Sequence, residues 1–122
     1  QAFSNLILNA VQSMREGGRL IISTKITVSN QVLNYNNHNE SGSMTIPLPK
    51  EFICVTFIDT GNGISPKDLK KIFLPFYTTK KKGTGLGLTI THRIIEAHKG
   101  RIEVESKTCK NTKFSIFLPL LT

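Results

Sequence analysis

The 122-residue sequence has no tryptophan and is only 7% aromatic. Few platforms for stacking nucleobases follow from that, so a nucleic-acid-binding module is poorly supplied. Cysteine occurs twice, Cys54 in a strand-like run and Cys109 in a turn-like one. The two lack close metal-ligand spacing. A reducing compartment is therefore expected, with no disulfide framework. No apolar run approaches the ~20 residues that a membrane-crossing helix needs. Gln1 to Arg15 has no basic start, no unbroken apolar stretch and no small-residue cleavage site, so it does not read as a signal peptide. Acidic residues are also scarce, 8 against 16 Lys and Arg, for a net charge of +8. Such an excess calls for an anionic partner: nucleic acid, the phosphates of a nucleotide, or an acidic protein.

What is present fits one domain. Hydrophobic residues make up 39% of the chain, and a domain of this size buries about two-thirds of its surface on folding. The first residue is not Met and a helical pattern begins at once, so a longer parent chain is expected.

Phe3, Ile7, Ala10, Val11 and Met14 recur at three- and four-residue spacing, with Leu6 at the edge, which predicts a helix from Gln1 to about Arg15. Gly17-Gly18 stops it. Arg19 to Val28 alternates as a strand does. The segment 29–50 is rich in Asn and Ser, and it is expected to be a long, mobile connection between strands. Phe52 to Ile58 predicts a buried strand running into Asp59-Thr60-Gly61-Asn62-Gly63, a turn whose glycines permit positive φ. Ser65, Pro66 and Asp68 have the spacing of a capped helix start, with Leu69, Ile72 and Phe73 on its buried side. A basic loop then leads to a helix from about Gly85 to His98, expected to bury Leu86, Ile90, Ile94 and Ala97. Arg101 to Ser106 and Lys113 to Leu118 predict a closing hairpin. Helices and strands in this order suggest a two-layer α/β sandwich.

The run Lys80-Lys81-Lys82-Gly83-Thr84-Gly85-Leu86-Gly87-Leu88 opens a helix. Its glycines let backbone approach an anion, and the helix start offers free N–H groups and a positive dipole end. Alone it is a weak sign of phosphate binding. Asp59, at a strand end before glycines, suits the exocyclic amine of adenine, although by itself it more often caps its own turn. Asn5 and Asn9 share a helix face, and their amide oxygens suit Mg²⁺. Taken alone, two solvated amides are the blander reading.

In order, Asn-x-x-x-Asn-Ala, Asp-x-Gly-x-Gly, Phe73-Leu74-Pro75-Phe76 and Gly-x-Gly-x-Gly resemble the asparagine, first glycine, phenylalanine and second glycine boxes of histidine kinase catalytic domains. These belong to the Bergerat-fold ATPases, shared with gyrase, a heat-shock chaperone and the mismatch-repair ATPases. The resemblance runs from Gln1 to about Leu118. It implies a mixed, mostly antiparallel sheet with about three helices on one face, over a single domain 1–122 without the dimerisation and phosphoacceptor domain.

It also implies that Asn9 holds Mg²⁺ with Asn5 beside it, and that Asp59 takes the adenine amine of ATP or ADP. Gly61 and Gly63 would make room for the base, and Ile64 would pack near it. Gly83, Thr84, Gly85, Leu86, Gly87 and Leu88 would form the lid and the helix start over the phosphates, Lys80 would neutralise them, and Thr112 would reach the adenine edge through water. Phe73, Pro75 and Phe76 are expected either to order the lid and meet the partner helix or to serve as plain core and turn.

Water-splitting members of the superfamily carry a glutamate where Asn5 stands, so transfer to another nucleophile suits this chain better than hydrolysis. Gln12 stands where many sensor kinases have a phosphate-binding lysine. A glycine usual in relatives is missing from Cys109-Lys110-Asn111-Thr112, and Asn111 is the residue expected to take the left-handed conformation.

His38, His92 and His98 lack an acceptor context, so the γ-phosphoryl is expected to go to a histidine on a separate helix. That helix would belong to the same or a partner kinase chain, in a homodimeric parent that serves a response regulator. No nucleic-acid or membrane contact is expected of the domain, and its place is cytoplasmic. The rivals are a protein serine kinase of the anti-sigma type, a basic nucleic-acid-binding module and a degenerate ATP binder.

Overall fold

The computed structural model describes residues 1–32, 47–78 and 85–120. The elements are helix α1 (Ala2–Ser13), strands β1 (Leu20–Val32) and β2 (Pro47–Asp59), the single turn α2 (Pro66–Leu69), helix α3 (Gly87–Ala97), and strands β3 (Arg101–Lys107) and β4 (Asn111–Pro119). Their order matches the sequence expectation. The strands are longer than expected. β1 continues to Val32 and β2 begins at Pro47, so both ends of the 29–50 connection are paired strand, and 33–46 lies outside the described residues.

The sheet runs β1-β2-β4-β3, and every described pairing is antiparallel, in keeping with the mostly antiparallel sheet expected. Side chains alternate across it. Val55 and Phe57 of β2 and Phe114 and Ile116 of β4 point to the helix layer. There they form the core with Ala2 and Leu6 of α1, Ile95 of α3, and Ile72 beyond α2. Burying a Leu or Ile fully stabilises by about 1.5–3 kcal/mol, and Leu6 and Ile116 are the largest apolar side chains buried to that degree. On the other face Phe52, Cys54 and Thr56 are buried among neighbouring strands. The Arg101 guanidinium covers Phe117 at 4.3 Å, and Ser23 and Thr56 share a hydrogen bond.

Two helix faces differ from expectation. In α1 the buried residues are Ala2, Leu6 and Ala10, while Phe3, Ile7 and Val11 are 42%, 36% and 56% exposed. The apolar arc of this helix is wider than the sheet and α3 can cover, and the covered part is its 2-6-10 edge. In α3 the buried residues are Thr89, Thr91 and Ile95. Leu86, Ile90 and Ile94 are half-buried, and Ala97 is exposed. Both threonines satisfy their hydroxyls within reach: Thr89 donates to Phe73 O at 3.0 Å and Thr91 to Gly87 O at 2.8 Å. A bonded hydroxyl loses most of the usual cost of burial, so a polar residue can take a core position here.

The hairpin turn also departs from expectation. Cys109, not Asn111, has positive φ, at 62°, because Asn111 already pairs with Lys107 as the first residue of β4. His98 closes α3 as expected, its Nδ1 2.8 Å from Ile94 O. Cys54 and Cys109 are free.

Candidate functional site

A cavity of about 450 Å³ opens where α1, the ends of β2 and β4, and the start of α3 meet. Asn5, Asn9, Asp59, Gly63, Ile64, Gly85, Gly87, Leu88 and Thr112 all line it, drawn together from four separate stretches of chain. Gly61 and Leu86 stand beside it without forming its wall. Lys80, Gly83, Thr84 and His38 lie outside the described residues.

At one end the sheet sets the geometry. Asp59 is the last residue of β2, paired with Leu20 on one side and Thr112 on the other, and its side chain is buried. Its Oδ1 accepts from Gly61 N–H at 2.9 Å and from the Ser13 hydroxyl at 3.3 Å. Both bonds fall on the same oxygen. Oδ2 therefore makes no hydrogen bond among the described residues. Thr112, across the ladder from Asp59, shares a hydrogen bond of 3.0 Å with Ser106.

The glycine turn after Asp59 is tied down on two sides. Asn62 N–H donates to Ser13 O at 3.3 Å, and Ile64 N–H donates to Ser106 Oγ at 2.7 Å. Cys109 N–H reaches Asn62 O at 2.6 Å from the β3–β4 turn. Gly63 needs to be glycine: φ is +70°, and a Cβ there would overlap the Lys107 carbonyl. Ser13 and Ser106 hold this end together, and neither was picked out from the sequence. A lone serine carries no motif, and only the strand register puts Ser106 opposite Thr112.

Helices set the other end. The Asn5 amide donates to Gly87 O at 3.2 Å and lies 3.4 Å from Thr91 Oγ1, so α1 is fastened to the first turn of α3. Asn9, one turn further along α1, is half-buried on the cavity wall beside Gln12. The first N–H groups of a helix have no carbonyl of their own helix to bond. At Gly87 a Cβ would meet nothing within 4 Å among the described residues. Gly85 is at φ +72°, its Cα pressed against the Phe76 backbone, and Phe76 N–H donates to Gly85 O at 3.0 Å. Phe76 itself sits at φ 66° with its ring exposed.

Ser13, Asp68, Tyr77 and Thr78 add further polar side chains to the cavity lining. The Tyr77 hydroxyl donates to Asp68 Oδ1. That bond is the main reason the Asp68 carboxyl lies below its ordinary range, with Ser65 adding to it, and the same bond raises the Tyr77 hydroxyl. Among the described residues, Asp59 and Asp68 are the carboxylates of the lining, and both are engaged. Glu16 is exposed beyond the end of α1 and does not line the cavity. His92 packs against Phe73, with ring centroids 5.3 Å apart, and pairs with Glu96 at 3.5 Å, away from this lining.

Residues 1–122 match the family described as histidine kinase-, DNA gyrase B-, and HSP90-like ATPase. Sporulation kinase C of Bacillus subtilis (strain 168) is 38% identical over 98% of this chain, which corresponds to 23% of that protein. Sporulation kinase A of the same organism is 41% identical over 98% of the chain and 16% of its own length. The sensor histidine kinase ZraS of Salmonella typhi is 36% identical over 99% of the chain and 22% of its own. Thus the chain spans about a quarter or less of these curated relatives. Among solved structures, the catalytic domain of histidine kinase ThkA superposes with a TM-score of 0.69 at 29% identity, covering 98% of this chain and 64% of that one.

Proposed function

The chain belongs to the histidine kinase-, DNA gyrase B-, and HSP90-like ATPase family, and on that premise we propose that it is the ATP-binding catalytic domain of a sensor histidine kinase. The observation that carries this reading is the single cavity that unites Asp59, Asn9 and the start of α3. A base amine would donate to Asp59 Oδ2, with Gly61 and Gly63 leaving room for the ring and Ile64 against it. Thr112 would meet the base edge through water. The triphosphate would lie toward the N–H groups of Leu86, Gly87 and Leu88, where a helix start favours anions. Lys80, Gly83 and Thr84, outside the described residues, are assigned to the same phosphate end.

The donor set suits magnesium. No group of three or more His, Cys, Asp or Glu is placed to hold a metal among the described residues. Mg²⁺ is a hard cation that keeps water and takes oxygen ligands from phosphates. Asn9 would supply one amide oxygen, and Asn5 would hold α1 against α3 beside it. Bound there, the ion would offset charge on the triphosphate.

The site favours transfer over hydrolysis. A base for water would need a carboxylate on α1 near Asn5, and the carboxylates of the described lining, Asp59 and Asp68, stand instead at the end of β2 and in α2. The γ-phosphoryl would leave the β-phosphate oxygen for an incoming imidazole nitrogen, so catalysis here is positioning and electrostatics. We assign that imidazole to a phosphoacceptor helix of the same or a partner kinase chain in a homodimeric parent, with a response regulator as the next recipient. ATP supply places the domain in the cytoplasm.

Calorimetric titration with Mg-ADP, beside Asp59→Asn, tests the reading. Binding that needs magnesium and weakens about 10- to 100-fold in the variant is expected, the range for losing a hydrogen bond to a charged group. A chain that melts cooperatively but binds no nucleotide at millimolar concentration would overturn it.

A further inference from the structure

The Asp68–Tyr77 pair belongs to none of the four sequence motifs, yet both residues line the nucleotide cavity. Asp68 lies in α2, whose start is fixed by Ser65: its hydroxyl accepts from Asp68 N–H at 3.2 Å. Tyr77 follows the strained residue Phe76, φ 66°, and its backbone N–H donates to Leu74 O at 3.2 Å. The backbone on either side is therefore placed independently of the side-chain bond. The Tyr77 side chain is half-buried and packs against the edge of the core. A tyrosine ring has two rotatable bonds, and anchoring its hydroxyl removes most of the freedom that remains.

An Asp near the start of a helix is commonly there to serve that helix. Here the side chain bonds Ser65 at the helix start and Tyr77 as well. The hydrogen bond that perturbs Asp68 most is the one from Tyr77. Lys67 and Lys71 lie close enough to favour its charged form as well. The ionised carboxylate is thus directed at a ring that shares the cavity lining with Ile64 and Ile72.

We infer that Asp68 is a positioning residue for the nucleotide site, acting through Tyr77: it locks the phenol ring as a wall of the cavity against which the base is held. This rests on the nucleotide reading given above. The ring, not the carboxylate, would touch the ligand. Binding is then stronger because the wall is already in place and its ordering need not accompany association.

The test uses the 122-residue chain with Asp68→Ala, Tyr77→Phe, the double variant and Asp68→Asn, titrated with Mg-ADP and melted in parallel. Each of the first two variants is expected to weaken binding about 2- to 10-fold, the range for one hydrogen bond. The double variant should be no weaker than the worse single one, because the two residues act as a unit. Asp68→Asn keeps an oxygen acceptor and should recover most of the affinity. A tyrosine titration supplies a readout that helix capping alone would not move. The sequence has two tyrosines, Tyr35 and Tyr77, and the one that ionises late should return to ordinary behaviour in Asp68→Ala.

Wild-type binding with unaltered affinity in all the variants, or losses that add in the double variant, would overturn the inference while the nucleotide reading stands. No binding by the folded wild type would overturn both.

Discussion

The two ends of the cavity are built by different means. At the Asp59 end every part is fixed by the sheet or bonded to it: Asp59 lies between two paired strands, and the glycine turn is fastened to Ser106, Ser13 and the β3–β4 turn. At the α3 end the same cavity is bounded by one amide from α1 and by the hydrogen bond from Phe76 N–H to Gly85 O. The first end presents its acceptor whether or not a ligand is there. The second offers open backbone. A site can thus fix one part of a ligand by rigid placement and leave the reacting part to be gathered on binding.

The contrast can be broken most severely at Gly63. Gly63→Ala forces a side chain onto the Lys107 carbonyl at a positive φ, so a loss of about 2–4 kcal/mol in stability is expected from the strain and the displaced turn. Chemical denaturation reads it, and nucleotide affinity should fall with it. At the other end, Asn9→Ala should leave the fold intact and weaken the magnesium dependence of ADP binding. The calorimetric difference with and without Mg²⁺ should shrink by about tenfold or less, as for one ligand oxygen among several. Gly87→Ala sharpens the comparison, because its two effects have opposite signs. A methyl there meets nothing among the described residues, and exchanging Gly for Ala in a helix stabilises by up to about 1 kcal/mol. The melting temperature should therefore rise slightly while Mg-ADP binds more weakly.

The smallest effect concerns pH. The Asp68 carboxyl is lowered by the Tyr77 bond, so its contribution is fully present above the ordinary carboxylate value of 3.8 and is lost as pH falls through the folded value below that. The Tyr77 hydroxyl is raised, so its share is complete below 10.0 and disappears as pH climbs past the higher folded value. Between those limits the pair should add no pH dependence to stability or binding. A melting series from pH 5 to about 9 should show no step that Tyr77→Phe abolishes.

Much of this was legible in the sequence because it depends on period and on special residues. Alternation located three strands and an apolar run the fourth, and the glycines at 61, 63 and 85 marked backbone that approaches something closely. Nine of the assigned residues share one cavity because motifs far apart in the chain sit at strand ends and helix starts, which the fold brings together. What stayed hidden depends on coverage and register. Periodicity shows that α1 is apolar over a broad arc. It does not show that α3 and the sheet occupy the edge through Ala2, Leu6 and Ala10, leaving Phe3, Ile7 and Val11 in the open. Thr91 is 0% exposed, which no hydropathy scale suggests, since its hydroxyl is satisfied inside its own helix. The left-handed residue of the last turn is Cys109 because pairing with Lys107 commits Asn111 to the strand, and that pairing is tertiary information.

Cys109 has a practical consequence. It is exposed, while Cys54 is buried at 2%, so a thiol-reactive dye should attach at one position without any mutation. Its backbone N–H bonds Asn62, between the two glycines of the turn beside Asp59. Cys109 is not part of the cavity lining, so a fluorophore there would leave the lining residues unmodified. Changes in its emission would report nucleotide arrival in real time, turning a strained turn residue into an optical gauge of occupancy.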